Sequence, residues 1–310
     1  MKRRDFLATV GGACAASVAT GKAEASSSPH AHVKDPLGVL IDATKCIGCR
    51  KCEWACNQAN NLPVQPLPTF EDKSVFKEMR RPDAGHYTVV NQFEGAPGSD
   101  RPLWVKVQCM HCNDPACWSA CIVTAFDKHE NGAVTYDAWR CMGCRYCMVS
   151  CPFQVPAYEY ENPLTPQIRK CTFCYERIAK EGGVPACVEI CPPQCLIFGK
   201  RSQLLELAHN RIGNEPDRYV DHVYGEHEVG GTSWLYLSSV PFAKIGLPTL
   251  GTEAPPRLTE TIQHGVFKNF VPPLALFAFL GGIMRLFRPE KDKEGSPETG
   301  RPKAGMGGKS

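Results

Sequence analysis

Sixteen of the eighteen cysteines in this chain fall into four groups of four. The first group, Cys46, Cys49, Cys52 and Cys56, has the spacing CxxCxxCxxxC; the third, Cys141, Cys144, Cys147 and Cys151, repeats it and is followed by Pro152. The second, Cys109, Cys112, Cys117 and Cys121, widens the middle gap to four residues. In the fourth, Cys171, Cys174, Cys187 and Cys191 before Pro192, that gap is twelve. Four quartets form an internal repeat. With 26 prolines and an ordinary hydrophobic content of 43%, something besides apolar burial must help to hold such a chain together.

The spacing selects the chemistry. Three thiolates from one short loop can converge on a cube of iron and sulfide, and the fourth, after a three-residue gap, points away towards a second cluster, as in bacterial two-cluster ferredoxins. A structural zinc site is complete with two CxxC pairs, so a third cysteine close behind them has no role there. A disulfide framework is the other rival in a cysteine-rich exported chain, but it does not call for four repeated quartets. The expectation is four [4Fe-4S] clusters. No CxxCH haem site, phosphate-cradling glycine loop or dinucleotide fingerprint accompanies them, and irons capped by four cysteines offer no open position to a substrate, so no catalytic residue is expected. A net charge of +3 and a pI near 8.1 are too mild for a phosphate-tracking surface, which argues against nucleic acid as a partner.

Both ends read as membrane traffic. Arg3-Arg4-Asp5-Phe6-Leu7 is a twin-arginine signal, and Ala23-Glu24-Ala25 offers the small-x-small cleavage pattern, so residues 1–25 read as a signal peptide with the mature chain starting near Ser26. Cys14 falls inside that discarded segment. An oxidising periplasm would trap free thiols, so clusters must be inserted in the cytosol and the chain exported folded, which is what the twin-arginine route does. Phe270–Met284 is fifteen uncharged residues, and Arg285, Arg288, Lys291 and Lys293 follow it while Lys268 alone precedes it closely. The positive-inside rule then makes 266–287 a single C-terminal transmembrane anchor with a cytoplasmic tail, 288–310. The body would sit on the periplasmic side of the inner membrane.

Between them, 26–265 reads as α+β: tandem ferredoxin-like two-cluster units with irregular insertions. The runs 38–42 and 133–137 are strand-like and each leads into a cysteine loop; 196–198 resumes as a strand after the fourth group. Short helices are expected over 52–59 and 147–151, and a surface helix over 202–211 with Ser202 as its cap. The stretch 62–103 is broken by Pro and Gly, carries no metal-ligand pattern, and reads as a covering or partner-facing insertion.

The order and spacing of the four groups resemble the iron-sulfur subunits of membrane-associated oxidoreductases, such as formate dehydrogenase, dimethyl sulfoxide reductase and polysulfide reductase. Together with CMHCNDPAC (109–117), CRYCMVSCP (144–152), HVYGEHEVGGT (222–232), Val240-Pro241, the export signal and the anchor, they resemble more narrowly the HybA-type subunits of periplasm-facing nickel-iron uptake hydrogenases. That resemblance implies four ligand sets. Cluster 1 would take Cys46, Cys49, Cys52 and Cys191; cluster 2, Cys109, Cys112, Cys117 and Cys151; cluster 3, Cys141, Cys144, Cys147 and Cys121; cluster 4, Cys171, Cys174, Cys187 and Cys56. It also implies the partners: a hydrogenase small subunit with its large subunit, and an integral membrane subunit that hands electrons to the quinone pool. The alternative partner is a molybdopterin enzyme of the formate, sulfur-compound or tetrathionate type. Ile122 stands where most such motifs have proline, a departure affecting loop rigidity rather than ligation. Cys195, outside every quartet, reads as a small buried residue. His111 is either a hydrogen-bond donor near a cluster or an ordinary loop histidine, and Arg50, Lys51 and Arg145 either offset cluster charge or are solvated.

Overall fold

A computed structural model describes residues 33–256 and, further on, 277, 278, 280 and 281. The chain divides into two units, Met1–Arg257 and Leu258–Ser310. In the second, Phe277, Ala278, Leu280 and Gly281 are helical and exposed. The expected signal peptide 1–25, the tail 288–310 and all of the expected anchor but those four residues lie outside the described residues. Among the described residues no helix is long and apolar enough to cross a membrane.

In chain order the first unit runs β1 (Leu37–Asp42), α1 (Lys51–Ala59), β2 (Thr88–Phe93), β3 (Leu103–Gln108), α2 (Ala116–Ser119), β4 (Phe126–Lys128), β5 (Val134–Tyr136), α3 (Tyr146–Ser150), β6 (Ala157–Tyr158), β7 (Ile168–Arg169), α4 (Tyr175–Glu181), α5 (Ala186–Glu189), β8 (Leu196–Lys200), α6 (Arg201–Asn214) and β9 (Trp234–Leu237). β1 is the centre of a three-stranded sheet, antiparallel to β8 with Val39 opposite Phe198 and parallel to β9 with Val39 opposite Trp234. Successive strand residues point to opposite faces. Leu40, Leu235 and Leu237 therefore pack with Leu204, Ala208 and Ile212 of α6, while Val39, Ile41, Trp234 and Tyr236 face the core that contains the cysteine loops. Ser202 does not cap α6. It is the second residue of that helix, and the Asp35 carboxylate accepts both its N–H (2.8 Å) and its hydroxyl (2.9 Å).

The strand pairing corrects the expected tandem arrangement: the two ferredoxin-like units are nested. β1, before the first cysteine group, pairs with β8, after the fourth; β5, before the third, pairs antiparallel with β4, after the second. The helices follow suit, α1 packing on α5 and α2 on α3. An outer unit thus combines groups one and four, and an inner unit built from groups two and three sits between its halves in sequence. The insertion 62–103 has structure the sequence does not announce. It contributes β2, which pairs with β3 through six antiparallel partners from Thr88–Gln108 to Phe93–Leu103. It is fastened to α1 by the fully buried Glu53, whose carboxylate takes ion pairs from Arg50 and Arg80 and the Val90 N–H at 2.7 Å.

Candidate metal centres

Each cysteine loop is shaped to turn backbone N–H groups onto sulfur. Two residues after the first cysteine of each group the backbone is left-handed: Gly48 (φ 67°), His111 (48°), Gly143 (75°) and Phe173 (60°). The N–H of Gly143 then reaches Cys141 Sγ and that of Phe173 reaches Cys171 Sγ, both at 3.4 Å. Three residues after the last cysteine of groups two, three and four the chain turns left-handed again, at Thr124, Gln154 and Gln194. Their N–H groups bond back to the carbonyls of Cys121, Cys151 and Cys191 at 3.1, 3.0 and 3.2 Å. The turn after Cys121 is the same as the two that carry proline, so Ile122 changes neither its hydrogen bond nor the Ala125 N–H donated to Cys121 Sγ at 3.2 Å. Successive N–H groups in αR-αL turns make concavities for negative charge, here for thiolate.

All seventeen described cysteines are free thiols. Burial pushes Cys52, Cys56 and Cys112 well above the ordinary thiol range and lifts Cys147 and Cys171 to about 12. Such sulfurs ionise only if a cation joins them. Which thiols act on one another is specific. Cys191 acts on Cys46 and Cys49; Cys171, Cys174 and Cys187 act on Cys56; Cys109, Cys117 and Cys151 act on Cys112; Cys121, Cys141 and Cys144 act on Cys147. Three contacts cross from one set to the next: Cys52 feels Cys187, Cys171 feels Cys109, and Cys117 feels Cys147.

The donor chemistry fits anionic iron-sulfur clusters in two further ways. Cys46, Cys49, Cys52 and Cys191 line a single cavity whose remaining wall includes Ile41, Val90, Pro192, Pro193 and Leu196. Ammonium groups also stand near the sulfurs, those of Lys106 and Lys170 on buried residues and that of Lys128 on a half-buried one. Lys106 Nζ lies 2.9 Å from Gln108 Oε1 and 4.4 Å from the centre of the Trp234 ring. Burial opposes its charge, but Cys187, Cys52, Cys171 and Cys56 outweigh burial and hold its pKa above the usual lysine value. Lys128 Nζ donates to the Cys112 and Gly132 carbonyls, both at 2.8 Å, and Lys170 Nζ to those of Val134 and Cys171. Burial lowers Lys128 to about 8 against the pull of Cys112 and Cys109. A buried lysine without a counter-charge is costly; ligated clusters, which are anionic, supply it.

Of the residues singled out in the sequence, His111 is fully buried and its Nδ1 accepts the Val134 N–H at 2.9 Å, tying the second cysteine loop to β5. Burial, then the charges of Lys170 and Lys128, keep its ring neutral. Arg50 is buried rather than solvated, its guanidinium held by Glu53 and over the Phe70 ring. Arg145 lies over Tyr158 and Tyr160. The three lysines escape sequence reasoning because an isolated lysine in or beside a short strand reads as solvent-facing. Cys195 is buried, as expected, but among the ligand candidates rather than apart from them: its Sγ is 3.4 Å from Cys191 Sγ. That contact, with backbone N–H groups of 194–196, holds Cys191 below the ordinary thiol range.

Comparison with known proteins agrees with iron-sulfur clusters as the bound groups. A family profile described as a 4Fe-4S dicluster domain matches residues 102–201. A protein of Nitratidesulfovibrio vulgaris strain Hildenborough is 53% identical over 84% of this chain and 70% of its own length. Hydrogenase-2 operon protein HybA of Escherichia coli O157:H7 is 32% identical over 92% of this chain and 95% of its own. The iron-sulfur subunit of the nitrate-inducible formate dehydrogenase of Escherichia coli K12 is 31% identical over 82% and 85%. With sixteen cysteines in four quartets, and likeness of this extent to both kinds of relative, the chain belongs to the iron-sulfur electron-transfer subunit family that contains HybA and the formate dehydrogenase iron-sulfur subunits.

Proposed function

We propose that the chain holds its four [4Fe-4S] clusters in a row and joins a periplasmic hydrogenase to a quinone-reactive membrane subunit. The clusters supply one-electron carriage when bound. The ligand sets are Cys46, Cys49, Cys52 and Cys191; Cys171, Cys174, Cys187 and Cys56; Cys109, Cys112, Cys117 and Cys151; and Cys141, Cys144, Cys147 and Cys121. The observation that carries this reading is the pairing of distant segments: β1 with β8 and α1 with α5 bring groups one and four together, where Cys46, Cys49, Cys52 and Cys191 line one cavity, and β4 with β5 and α2 with α3 bring groups two and three together. The contacts of Cys52 with Cys187, Cys171 with Cys109 and Cys117 with Cys147 support the linear order first, fourth, second, third, with Lys106, Lys128 and Lys170 placed along it. Iron analysis checks the loading: about sixteen atoms per chain are expected, and reducible EPR signals with them.

The third set is the outlet to a partner in this reading. Cys144 is the one exposed cysteine among the described residues, and Trp139, Met142, Tyr146 and Val149 in and beside the third cysteine group, with Ile122 after the second, are exposed apolar side chains, Trp139 by 98%. So many exposed apolar side chains within and beside one cysteine loop favour an interface there. The hydrogenase reading draws on the extent of the likeness to HybA, and the export signal and C-terminal anchor on the sequence at the two ends. The likeness to formate dehydrogenase subunits favours the second reading, a molybdopterin partner. Copurification with metal analysis decides between them: nickel in the complex is the expected result, and molybdenum without nickel overturns the hydrogenase assignment.

A further inference from the structure

The turn that follows the last cysteine occurs three times, and its fourth position is a buried slot beside that cysteine's sulfur. The slot holds Ala125 after Cys121, Val155 after Cys151 and Cys195 after Cys191, all at 4% exposure or less. Two aliphatic side chains fill it; the third carries a thiol. Cys195 is fixed there by its carbonyl, which accepts the Asp42 N–H of β1 at 2.8 Å, and by the left-handed Gln194 before it. Its Sγ is in contact with Cys191 Sγ, and five thiols line one cavity: Cys46, Cys49, Cys52, Cys191 and Cys195. A [4Fe-4S] cluster needs four.

We propose that Cys195 is a second, interchangeable ligand for the cluster held by Cys46, Cys49 and Cys52. The iron–sulfur bond to Cys191 breaks as the bond to Cys195 forms, and the Cys195 proton passes to the released Cys191 thiolate across the 3.4 Å contact. No electron is gained or lost. The charge within the cavity is also unchanged, so the exchange avoids the desolvation cost that creating a new thiolate there would carry. The released sulfur stays in place as a thiol that donates to the new ligand, and hydrogen bonds to ligand sulfur raise cluster potential.

The inference rests on Cys191 being the resident fourth ligand, and the test separates the two. Cys191→Ala, Cys195→Ala and the double variant are prepared in the full chain under anaerobic conditions, then assayed for iron, sulfide and the EPR of the oxidised protein. Both single variants should keep the parental iron and show no three-iron signal. The double variant should either lose about a quarter of its iron or show a [3Fe-4S] signal. Loss of iron or a three-iron signal in Cys191→Ala alone overturns the exchange while leaving the assignment intact. The same loss in Cys195→Ala alone makes Cys195 the resident ligand and overturns the assignment. Full retention in all three overturns both. Should the double variant not fold, Cys191→Ala by itself decides.

Discussion

The outer and inner units repeat one plan in different surroundings. Around groups one and four the strands belong to a three-stranded sheet, α6 covers its far face, and Lys106 sits within the sulfur-rich core. Around groups two and three the strands are two-stranded ribbons of two or three residues, and group three opens to solvent at Cys144. The difference is one of access: no thiol of the outer unit is exposed, whereas the inner unit presents Cys144 to solvent, the side on which the proposed partner would dock. Buried thiolates in an apolar core need compensating charge within the protein, whereas exposed ones draw on water.

The largest expected effect comes from the charge inside the seal. Lys106→Met should cost about 3–5 kcal/mol, the usual loss when one partner of a buried charge set is removed, and deplete iron from the outer unit. Lys128→Met, which gives up two carbonyl hydrogen bonds at a half-buried site, should cost about 1–2 kcal/mol. Anaerobic denaturation and iron content measure both; equal losses would erase the distinction between the units. Next come the loop glycines. A Cβ on Gly48 would lie 2.3 Å from the Trp104 ring nitrogen, at a left-handed φ of 67°, whereas one on Gly143 would meet only the Tyr158 hydroxyl, at 3.2 Å. Gly48→Ala should therefore cost roughly 2–4 kcal/mol and Gly143→Ala roughly 1–2, the difference being the overpacking.

Oxidative loss should sharpen the same contrast. Under air or ferricyanide the group-three signal is expected to disappear several-fold faster than those of the outer unit, as followed by EPR. Simultaneous loss of all four would mean that exposure of Cys144 does not govern attack. The smallest effect on the fold is that of Trp139→Ser, within about 0.5 kcal/mol, as for other surface changes. Its copurification with the catalytic or membrane partner should nonetheless fall, and unchanged copurification would remove Trp139 from the interface.

Much of this arrangement is legible in the sequence, and what is not has identifiable causes. The strands at 37–42, 134–136 and 196–200 and the helices after the CxxC runs follow from periodicity and spacing. The pairing of groups one with four depends on contacts far apart in the chain, so no local spacing encodes it, whereas the strand register displays the nesting directly. Lys106 in LWVKVQ alternates with Val105 and Val107 and so reads as solvent-facing; β3 instead buries Lys106 and Gln108, because Trp234, Tyr236 and the thiols cover that side. The insertion was opaque because its anchor is an ion pair between Glu53 and Arg80, residues with no periodic relation. Cys195 looked inert because burial alone does not say which neighbour a thiol has.

The nesting also sets the order in which the chain can mature. Group four leaves the ribosome last, so the outer unit cannot close until the whole inner unit has been made. Loop closure becomes less costly entropically as the effective loop shortens. An inner unit that folds first draws α1 and α5 together like the clasp of a purse, giving the protein a built-in sequence of assembly from the centre outward.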